Sequence, residues 1–225
     1  MKVLITGGGS QEPIDNVRFV TNFSTGRTAS FLADSLTQKG VEVTAVLAEA
    51  AIKPENREIH LKEYKSYADL KAVLEEECKN GNYDAIIHAA AVSDYSPECV
   101  EVDGKVFKAG GKEKLPAGKE LVIRMKKNPK LIDFLKQWAG RNTKVIGFKL
   151  TSNADTQKRL EAVRKIFGSN SDRTLAPDFI VSNDKTEING SAHPWKIYRT
   201  DETTAAEGST LEQMAEGIFN LLQNS

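Results

Sequence analysis

Three consecutive glycines and a serine, residues 7–10, come directly after the apolar run of residues 3–6. Because glycine has no Cβ, backbone amides in such a loop can approach phosphate oxygens closely. The dinucleotide-binding pattern G-x-G-x-x-G would need a glycine at position 12, where Glu12 stands instead. The loop therefore predicts nucleotide binding through Gly8, Gly9 and Ser10, and a structural turn is the alternative.

Hydroxyl, amide and guanidinium groups are concentrated in residues 17–27, just before a predicted helix. Arg18 offers a fork for phosphate or carboxylate, and Asn22 offers both a donor and an acceptor. Ser24 and Gly26 stand where the unpaired amides and the dipole of a helix attract anions. An N-cap with surface arginines would explain only part of this segment, so we predict that it binds substrate.

A third candidate segment, residues 88–95, ends a predicted strand with small residues and a carboxylate. Ala89 and Ala90 would let a flat ring lie against the backbone, and Asp94 could accept a hydrogen bond from a ribose or a base. His88 is expected to be a satisfied structural residue rather than a catalyst.

Lysines surround a glycine-rich segment at residues 109–114. A mobile flap of this kind could carry an ammonium group, from Lys112 or Lys114, onto a triphosphate. Most lysine runs are merely solvated surface, which is the alternative here. The other basic residues of this set are Lys126, Lys127 and Lys130, and Asn128–Pro129 is expected to open a helix whose free amides add to the site.

Alternating strand and helix patterns must position these groups. They predict an α/β protein with a Rossmann-like, doubly wound, mainly parallel sheet, in which ligands bind beyond the carboxyl ends of the strands. Phe148 and Asn183 end two further predicted strands. We expect one domain over residues 1–225, with a flexible flap or dimerisation arm at about residues 96–120.

Composition narrows the class of protein. The chain has 31 basic and 31 acidic residues, which indicates neither a nucleic-acid partner nor a membrane-binding face. Two cysteines without metal-ligand spacing predict neither a metal site nor a disulfide framework. No signal peptide or membrane-spanning run is recognised, so a cytoplasmic location is expected.

Taken in order, these segments resemble the phosphopantothenate–cysteine ligase (phosphopantothenoylcysteine synthetase) family in its stand-alone form. The matching strings span residues 4–184. They are residues 5–8 with 12–15, residues 17–26, residues 89–95, Lys114 before Leu121, residues 127–129, residues 147–148 and residues 181–184.

The resemblance implies a ligase that joins 4′-phosphopantothenate and cysteine in coenzyme A biosynthesis. A nucleoside triphosphate, CTP in preference to ATP and accompanied by Mg²⁺, would activate the carboxylate as an acyl-nucleotide with release of pyrophosphate. The resemblance also implies a homodimer and a phosphopantothenoylcysteine decarboxylase on a separate chain.

The resemblance assigns roles to individual residues. Asn22 and Lys114 would be catalytic, with Asn22 binding the acyl intermediate, and Arg18 and Asn183 would bind substrate. The nucleotide site would be formed by Gly8, Gly9, Ser10, Ser24, Gly26, Ala89, Ala90, Asp94, Phe148 and Lys165.

Departures from the family pattern affect the choice of base and of flap lysine. Residues 114–117 lack the usual lysine-isoleucine-lysine, Lys149–Thr151 is closer to eukaryotic and stand-alone forms, and residues 169–177 look like an insertion.

A short-chain NAD(P)-dependent reductase is one rival, but its Tyr-x-x-x-Lys pair occurs only as Tyr67 and Lys71, upstream of the alanine-rich strand. A non-catalytic nucleotide-binding regulatory module is the other.

Overall fold

The computed structural model describes residues 1–112 and 114–224. The order of its strands and helices is β1 (Lys2–Gly7), β2 (Gln11–Pro13), β3 (Phe19–Thr21), α1 (Arg27–Gln38), β4 (Glu42–Ala48), β5 (His60–Tyr64), α2 (Tyr67–Asn80), β6 (Ala85–His88), β7 (Tyr95–Val102), β8 (Lys105–Lys108), β9 (Leu121–Lys127), α3 (Leu135–Ala139), β10 (Lys144–Thr151), α4 (Thr156–Phe167), β11 (Phe179–Asp184), β12 (Trp195–Arg199), β13 (Thr204–Gly208) and α5 (Leu211–Gln223).

An eight-stranded sheet in the order β13-β12-β11-β10-β6-β1-β4-β5 forms the centre of the molecule. Along the sheet, the six strands β5, β4, β1, β6, β10 and β11 are parallel. Strand β12 is antiparallel to both of its neighbours, β11 and β13. The parallel part has the 3-2-1-4-5-6 order of the doubly wound nucleotide-binding fold, so the predicted fold class is confirmed. The strand order reverses between β1 and β6, and ligands of such sheets bind at that crevice.

Helices cover both faces of this sheet because its strands are apolar on both sides. On β11, Ile180 packs with Val163 of α4, whereas the alternating residues Phe179 and Val181 belong to the cluster that includes Met214 of α5. Successive strand residues point to opposite faces, so α4 and α5 lie on opposite sides of the sheet. No helix in the described ranges is long and apolar enough to cross a membrane.

Much of the segment expected to be a flexible flap or dimerisation arm consists of strands, while its flexibility and its part in dimerisation stay predictions. Strands β7, β8 and β9 form a three-stranded antiparallel sheet, which we call the arm sheet. Asp103 and Gly104, with φ of 47° and 82°, make the two-residue turn between β7 and β8. Val100, Val102, Ile14 and Leu115 form a separate small core beneath the arm sheet. Residues 109–112 and 114–120 contain no helix or strand.

One further local expectation needs correction. Asn128–Pro129 does not open a helix, because Lys130 is extended (φ −75°, ψ 116°) and a short 3₁₀ helix, Leu131–Asp133, precedes α3. The long loop after β1 contains the hairpin of β2 and β3. This hairpin carries the chain from the glycine loop to Asn22.

Candidate functional site

The glycine loop and the alanine segment meet at the crevice between β1 and β6. Gly9 forms an isolated bridge with Ala91. The amide of Ala91 donates to the Gly8 carbonyl at 2.8 Å, and the amide of Ser10 donates to the Ala91 carbonyl at 3.3 Å. The Ser93 amide donates to Ser10 Oγ at 3.1 Å. The structure therefore brings together Gly8, Gly9, Ser10, Ala89 and Ala90, and their binding of a nucleotide stays a prediction.

Internal packing leaves no room for a Cβ at any of the three glycines of the loop. A Cβ on Gly7 would lie 2.2 Å from Ala29 Cβ, and one on Gly8 would lie 2.6 Å from Ala48 Cβ. A Cβ on Gly9 would lie 2.5 Å from the carbonyl oxygen of Asn22. Gly7 thus allows α1 to approach β1 closely, which is the role of the third glycine of the G-x-G-x-x-G pattern in dinucleotide-binding proteins.

Several backbone amides of the glycine loop and of the alanine segment are already engaged within the protein. Besides Ser10 and Ala91, the amide of Ala89 donates to the Thr6 carbonyl, and the amide of Ala90 donates to Thr6 Oγ1. The capacity of this site to bind anions therefore depends more on the nearby start of α1 than the sequence suggested.

The N-terminus of α1 is electropositive and uncapped. Its N-cap residue, Gly26, has a φ of 72° and provides no side-chain hydrogen bond, and the first turn contains no acidic residue. Arg27 adds a positive charge at the first helical position. Free amides and the helix dipole attract anions, and Ser24 is exposed beside this terminus. Ser24 and Gly26 thus lie at the start of α1, and their role in nucleotide binding stays a prediction.

Asn22 is exposed on the loop between β3 and α1. Its Nδ2 donates to the Val92 carbonyl at 3.3 Å, which joins this loop to the alanine segment. The neighbouring Thr21 Oγ1 donates to the Ser10 carbonyl at 2.8 Å. Asn22 therefore lies at the same crevice as the glycine loop.

Arg18 has a structural partner. Its Nε and Nη2 donate to Asp15 Oδ2 at 3.0 and 2.6 Å, and the Asp15 side chain is only 1% exposed. The hydrogen bond from Arg18 holds the pKa of Asp15 far below its ordinary value, and backbone amides that include Leu115 act in the same direction. The guanidinium fork expected to bind substrate is thus occupied by Asp15.

Asp15 also anchors the loop that carries the candidate flap lysines. The amide of Leu115 donates to Asp15 Oδ2 at 3.1 Å, and the amide of Gly110 donates to the Ile14 carbonyl at 3.0 Å. Lys112 and Lys114 are both exposed between these two attachment points. The structure thus holds both lysines close to the β2–β3 hairpin and does not distinguish between them.

Asp94 is exposed and forms an ion pair with Lys130. Its carbonyl accepts the amide of Asn128 at 2.8 Å, so that amide is not free for a ligand. Asn128 Nδ2 donates to the Ser93 carbonyl at 3.0 Å and to Ser96 Oγ at 2.8 Å. Residues 128–130 therefore hold the polar end of the alanine segment in place.

Glu12, which breaks the dinucleotide pattern, is buried and joins three parts of the site. Its Oε1 accepts the Tyr67 amide at 2.8 Å, and its Oε2 accepts from Ser96 Oγ at 2.6 Å. The contact with Tyr67 satisfies a backbone donor at the start of α2. Glu12, Asp15 and Tyr64 are site-supporting residues that sequence reasoning missed, because their roles depend on partners 50 or more residues away.

Two predicted residues lie farther along the same edge of the sheet. Phe148 is half-buried on β10, which pairs with β6 and β11. Asn183 is buried on β11, and its Nδ2 lies 2.8 Å from His193 Nε2.

His88 is buried and pairs with Thr6 Oγ1 through Nδ1 at 2.8 Å, and burial lowers its pKa to about 4. A buried, neutral and hydrogen-bonded ring of this kind is typical of a structural histidine.

Lys165 is not brought to the site. It lies in the last turn of α4, and its neighbour Arg164 forms a bidentate ion pair with Glu202. Glu202 follows the end of β12, and Arg199 of β12 lies opposite Phe179, the first residue of β11. The end of α4 is therefore at the amino edge of the sheet, opposite the glycine loop.

In residues 1–112 and 114–224, no group of three or more His, Cys, Asp and Glu side chains could hold a metal ion. A cleft of about 650 Å³ lies beside the carboxyl end of β11 and is lined by residues that include Ser182, Arg159 and Lys196.

The strand order, with a glycine loop and an uncapped helix at its reversal point, defines a Rossmann-like α/β domain of the nucleotide-binding type. The chain belongs to the family described as "DNA/pantothenate metabolism flavoprotein C-terminal domain", whose model matches residues 1–224. The family-level resemblance is thereby confirmed.

A curated relative and two solved structures illustrate this relationship. The chain is 29% identical over 222 residues to the coenzyme A biosynthesis bifunctional protein CoaBC of Thermococcus kodakarensis, covering 99% of this chain and 51% of that protein. The chain thus spans about half the length of that curated relative. The crystal structure of the DNA/pantothenate metabolism flavoprotein from Streptococcus pneumoniae has a TM-score of 0.86 and 28% identity, covering 100% of this chain and 99% of that one. A Cab2 mutant in complex with phosphopantothenate-cysteine has a TM-score of 0.73 and 20% identity, covering 97% and 85%, which shows the fold alone.

Proposed function

We propose that this chain is a phosphopantothenate–cysteine ligase acting in coenzyme A biosynthesis. One observation carries the proposal: in a member of this family, the Asn22 loop, the uncapped start of α1 and the alanine segment converge on the crevice between β1 and β6. The product named with the Cab2 structure supports the same reaction.

The proposed reaction has two steps. A carboxylate oxygen of phosphopantothenate attacks the α-phosphorus of the nucleoside triphosphate, and pyrophosphate leaves. The amine of cysteine then attacks the acyl carbon, the nucleoside monophosphate leaves, and the amine loses a proton. Both steps need charge stabilisation and alignment more than a protein nucleophile.

The residues at the crevice suit those needs. The free amides of α1, with Ser24 and Gly26, would hold the triphosphate, and Asn22 would hold the acyl group through one donor and one acceptor. Lys114 would neutralise developing charge from the loop anchored by Asp15. Ala90, Asp94 and Phe148 would contact the nucleoside, and so would Asn183, which the resemblance assigned to substrate binding more generally. Lys165 has no part in this mechanism because it lies at the opposite edge of the sheet.

Several finer features belong to the same proposal. CTP is favoured over ATP, and Mg²⁺ enters with the triphosphate as part of that substrate, held chiefly by phosphate oxygens. The active unit is a homodimer located in the cytoplasm. These features rest on the family resemblance.

One assay tests the activity and the choice of nucleotide. The protein is mixed with phosphopantothenate, cysteine, Mg²⁺ and either CTP or ATP, and pyrophosphate and phosphopantothenoylcysteine are measured. Pyrophosphate release that requires phosphopantothenate, with a higher kcat/KM for CTP, is expected. Absence of release together with NADPH binding would instead favour the reductase.

A further inference from the structure

His193 is the immediate partner of the Asn183 amide. Asn183 shares a face of β11 with Phe179 and Val181, the face covered by α5. His193 lies just before β12, and its own amide donates to the Ser209 carbonyl at 2.7 Å. Both side chains are largely buried at 7% and 9% exposure, so the contact between them is shielded from water.

The contact between the two side chains has a defined direction. Asn183 Nδ2 lies 2.8 Å from His193 Nε2. An amide nitrogen is only a donor, so the imidazole nitrogen facing it must carry no proton. His193 is then neutral with its proton on Nδ1. Asn183 Oδ1 forms no hydrogen bond within the described residues and is available to a ligand.

The surroundings of His193 favour this neutral form. Burial lowers the pKa of His193, and the positive charge of Arg27 lowers it further. Arg27 is the first residue of α1, and Glu212 of α5 is the acidic group that this arginine also influences. His193 thus contacts Asn183 near the end of β11 and is within electrostatic reach of Arg27 at the start of α1.

We propose that His193 is a positioning residue that fixes Asn183 as a hydrogen-bond acceptor toward the nucleotide. The inference rests on the proposed function for the identity of the ligand, which is a nucleotide donating an N–H or O–H group from its base or ribose. If His193 were protonated, two N–H groups would face each other, and the amide would turn to present Nδ2 instead of Oδ1. Nucleotide binding at this position would then weaken.

A direct test reads the proton on His193 without any assay of activity. Long-range ¹H–¹⁵N spectra resolve the side chains of the three histidines, which are assigned with His193→Gln and His60→Gln. We expect His193 as the neutral Nδ1–H tautomer at pH 7, and we expect Asn183→Ala to perturb its Nε2 resonance. An Nε2–H tautomer, or a charged ring at pH 7, would overturn the inference even if the protein is an active ligase.

The functional test uses variants that keep or remove the acceptor. His193→Gln retains an acceptor near the Nε2 position, whereas His193→Leu removes it, and His60→Gln on β5 is the exposed control. We expect His193→Leu to raise KM for the nucleotide about tenfold, the equivalent of about 1.4 kcal/mol of binding, with a smaller change in kcat.

The pH dependence separates positioning from a general loss of structure. In the wild type, KM for the nucleotide should rise as the pH falls through the lowered pKa of His193, and in His193→Gln it should rise less. Equal KM values for the His193→Leu, His193→Gln and wild-type proteins would overturn the inference. Calorimetric titration with the nucleotide alone gives the same comparison if ligase turnover is absent.

Discussion

Asn22 is exposed, yet its amide is oriented by the Val92 carbonyl on a neighbouring segment. We expect Asn22→Asp to slow turnover by about a hundredfold, because the carboxylate loses the donor and repels a bound acyl phosphate. Acyl-nucleotide should accumulate, which acid quenching and chromatography would detect. Asn16→Asp makes the same chemical change at an exposed position before β3 and should leave the rate unchanged. Wild-type rates in Asn22→Asp would remove this residue from the mechanism.

Tyr64 supports the glycine loop from below. Its buried hydroxyl donates to the carbonyls of Gly8 at 3.0 Å and Gly7 at 3.2 Å. Tyr64→Phe leaves these carbonyls without that donor, so the free energy of unfolding should fall by about 1–2 kcal/mol. We also expect weaker nucleotide binding, measured by calorimetric titration. Tyr198→Phe alters another buried tyrosine, on β12, and should affect nucleotide binding less; an equal effect of both variants would contradict a specific role for Tyr64.

At the scale of the elements, Asp15 joins the β2–β3 hairpin to the loop of Lys114. The pKa of Asp15 is lowered in the folded protein, chiefly by Arg18, so its ionised form stabilises the fold above the ordinary pKa of about 4. That stability is lost as the pH falls toward the folded-state pKa. The difference in free energy of unfolding between the wild type and Asp15→Asn should therefore shrink below about pH 4.

Asp15→Asn has a second expected outcome. Loss of this anchor should slow the ligase reaction at pH 7, because Lys114 is then held less well. Asp201→Asn, in the turn between β12 and β13, alters a carboxylate away from the crevice and serves as control. Unchanged activity in Asp15→Asn would show that the anchor is not needed for catalysis.

The elements with clear apolar patterns were predictable from the sequence, whereas the others depended on weaker signals. The runs of β1, β4 and β6 are buried on both faces, which makes their patterns unambiguous. Strand β5 is at the edge of the sheet and is mostly exposed, so it has no apolar run to detect. The Asp103–Gly104 turn was a usable hairpin signal within the arm sheet.

The site was predictable in position but not in its internal contacts. Ligand-binding edges follow from strand order, so the carboxyl ends of β1, β6, β10 and β11 could be named in advance. The partners of Arg18 and Asn128 could not, because both contacts need the packed hairpin and arm sheet. Lys165 was carried over from the family, although a helix after β10 must end at the amino edge of the sheet.

At the scale of the whole molecule, the buried His88 makes stability depend on pH. Burial lowers its pKa to about 4, whereas an unfolded histidine titrates near 6.5. As the pH falls from about 7 to 4, the unfolded state binds a proton at this histidine that the folded state does not bind. The free energy of unfolding therefore falls by about 3 kcal/mol. Below the folded-state pKa this contribution levels off.

Denaturant titrations at several pH values would measure that loss. His88→Asn can still meet Thr6 and has no ionisable ring, so its stability should vary less between pH 7 and 4 than that of the wild type. His60→Gln, at an exposed position, should behave like the wild type. A wild-type stability that does not vary over this range would contradict the burial of a neutral His88.

The charge of the chain is balanced overall but unevenly distributed. Residues 105–130 contain nine Lys and Arg residues and two Glu residues, within a chain of net charge zero. A positive arm should speed the capture of a triphosphate, so kcat/KM should fall as salt rises. Lys105→Gln/Lys108→Gln should reduce that slope, and Lys71→Gln/Lys79→Gln on α2 should reduce it less. Equal slopes in all three proteins would exclude steering by the arm.

The side chain of Ala51 touches the places where both Gly8 and Gly26 would carry a Cβ, at 2.9 and 2.6 Å. The loop after β4 therefore packs directly against the glycine loop and against Gly26, the residue that precedes α1. In a library of random variants, positions 8, 26 and 51 should tolerate enlargement neither singly nor in pairs. A larger side chain at any of these three positions would first have to displace the loop after β4.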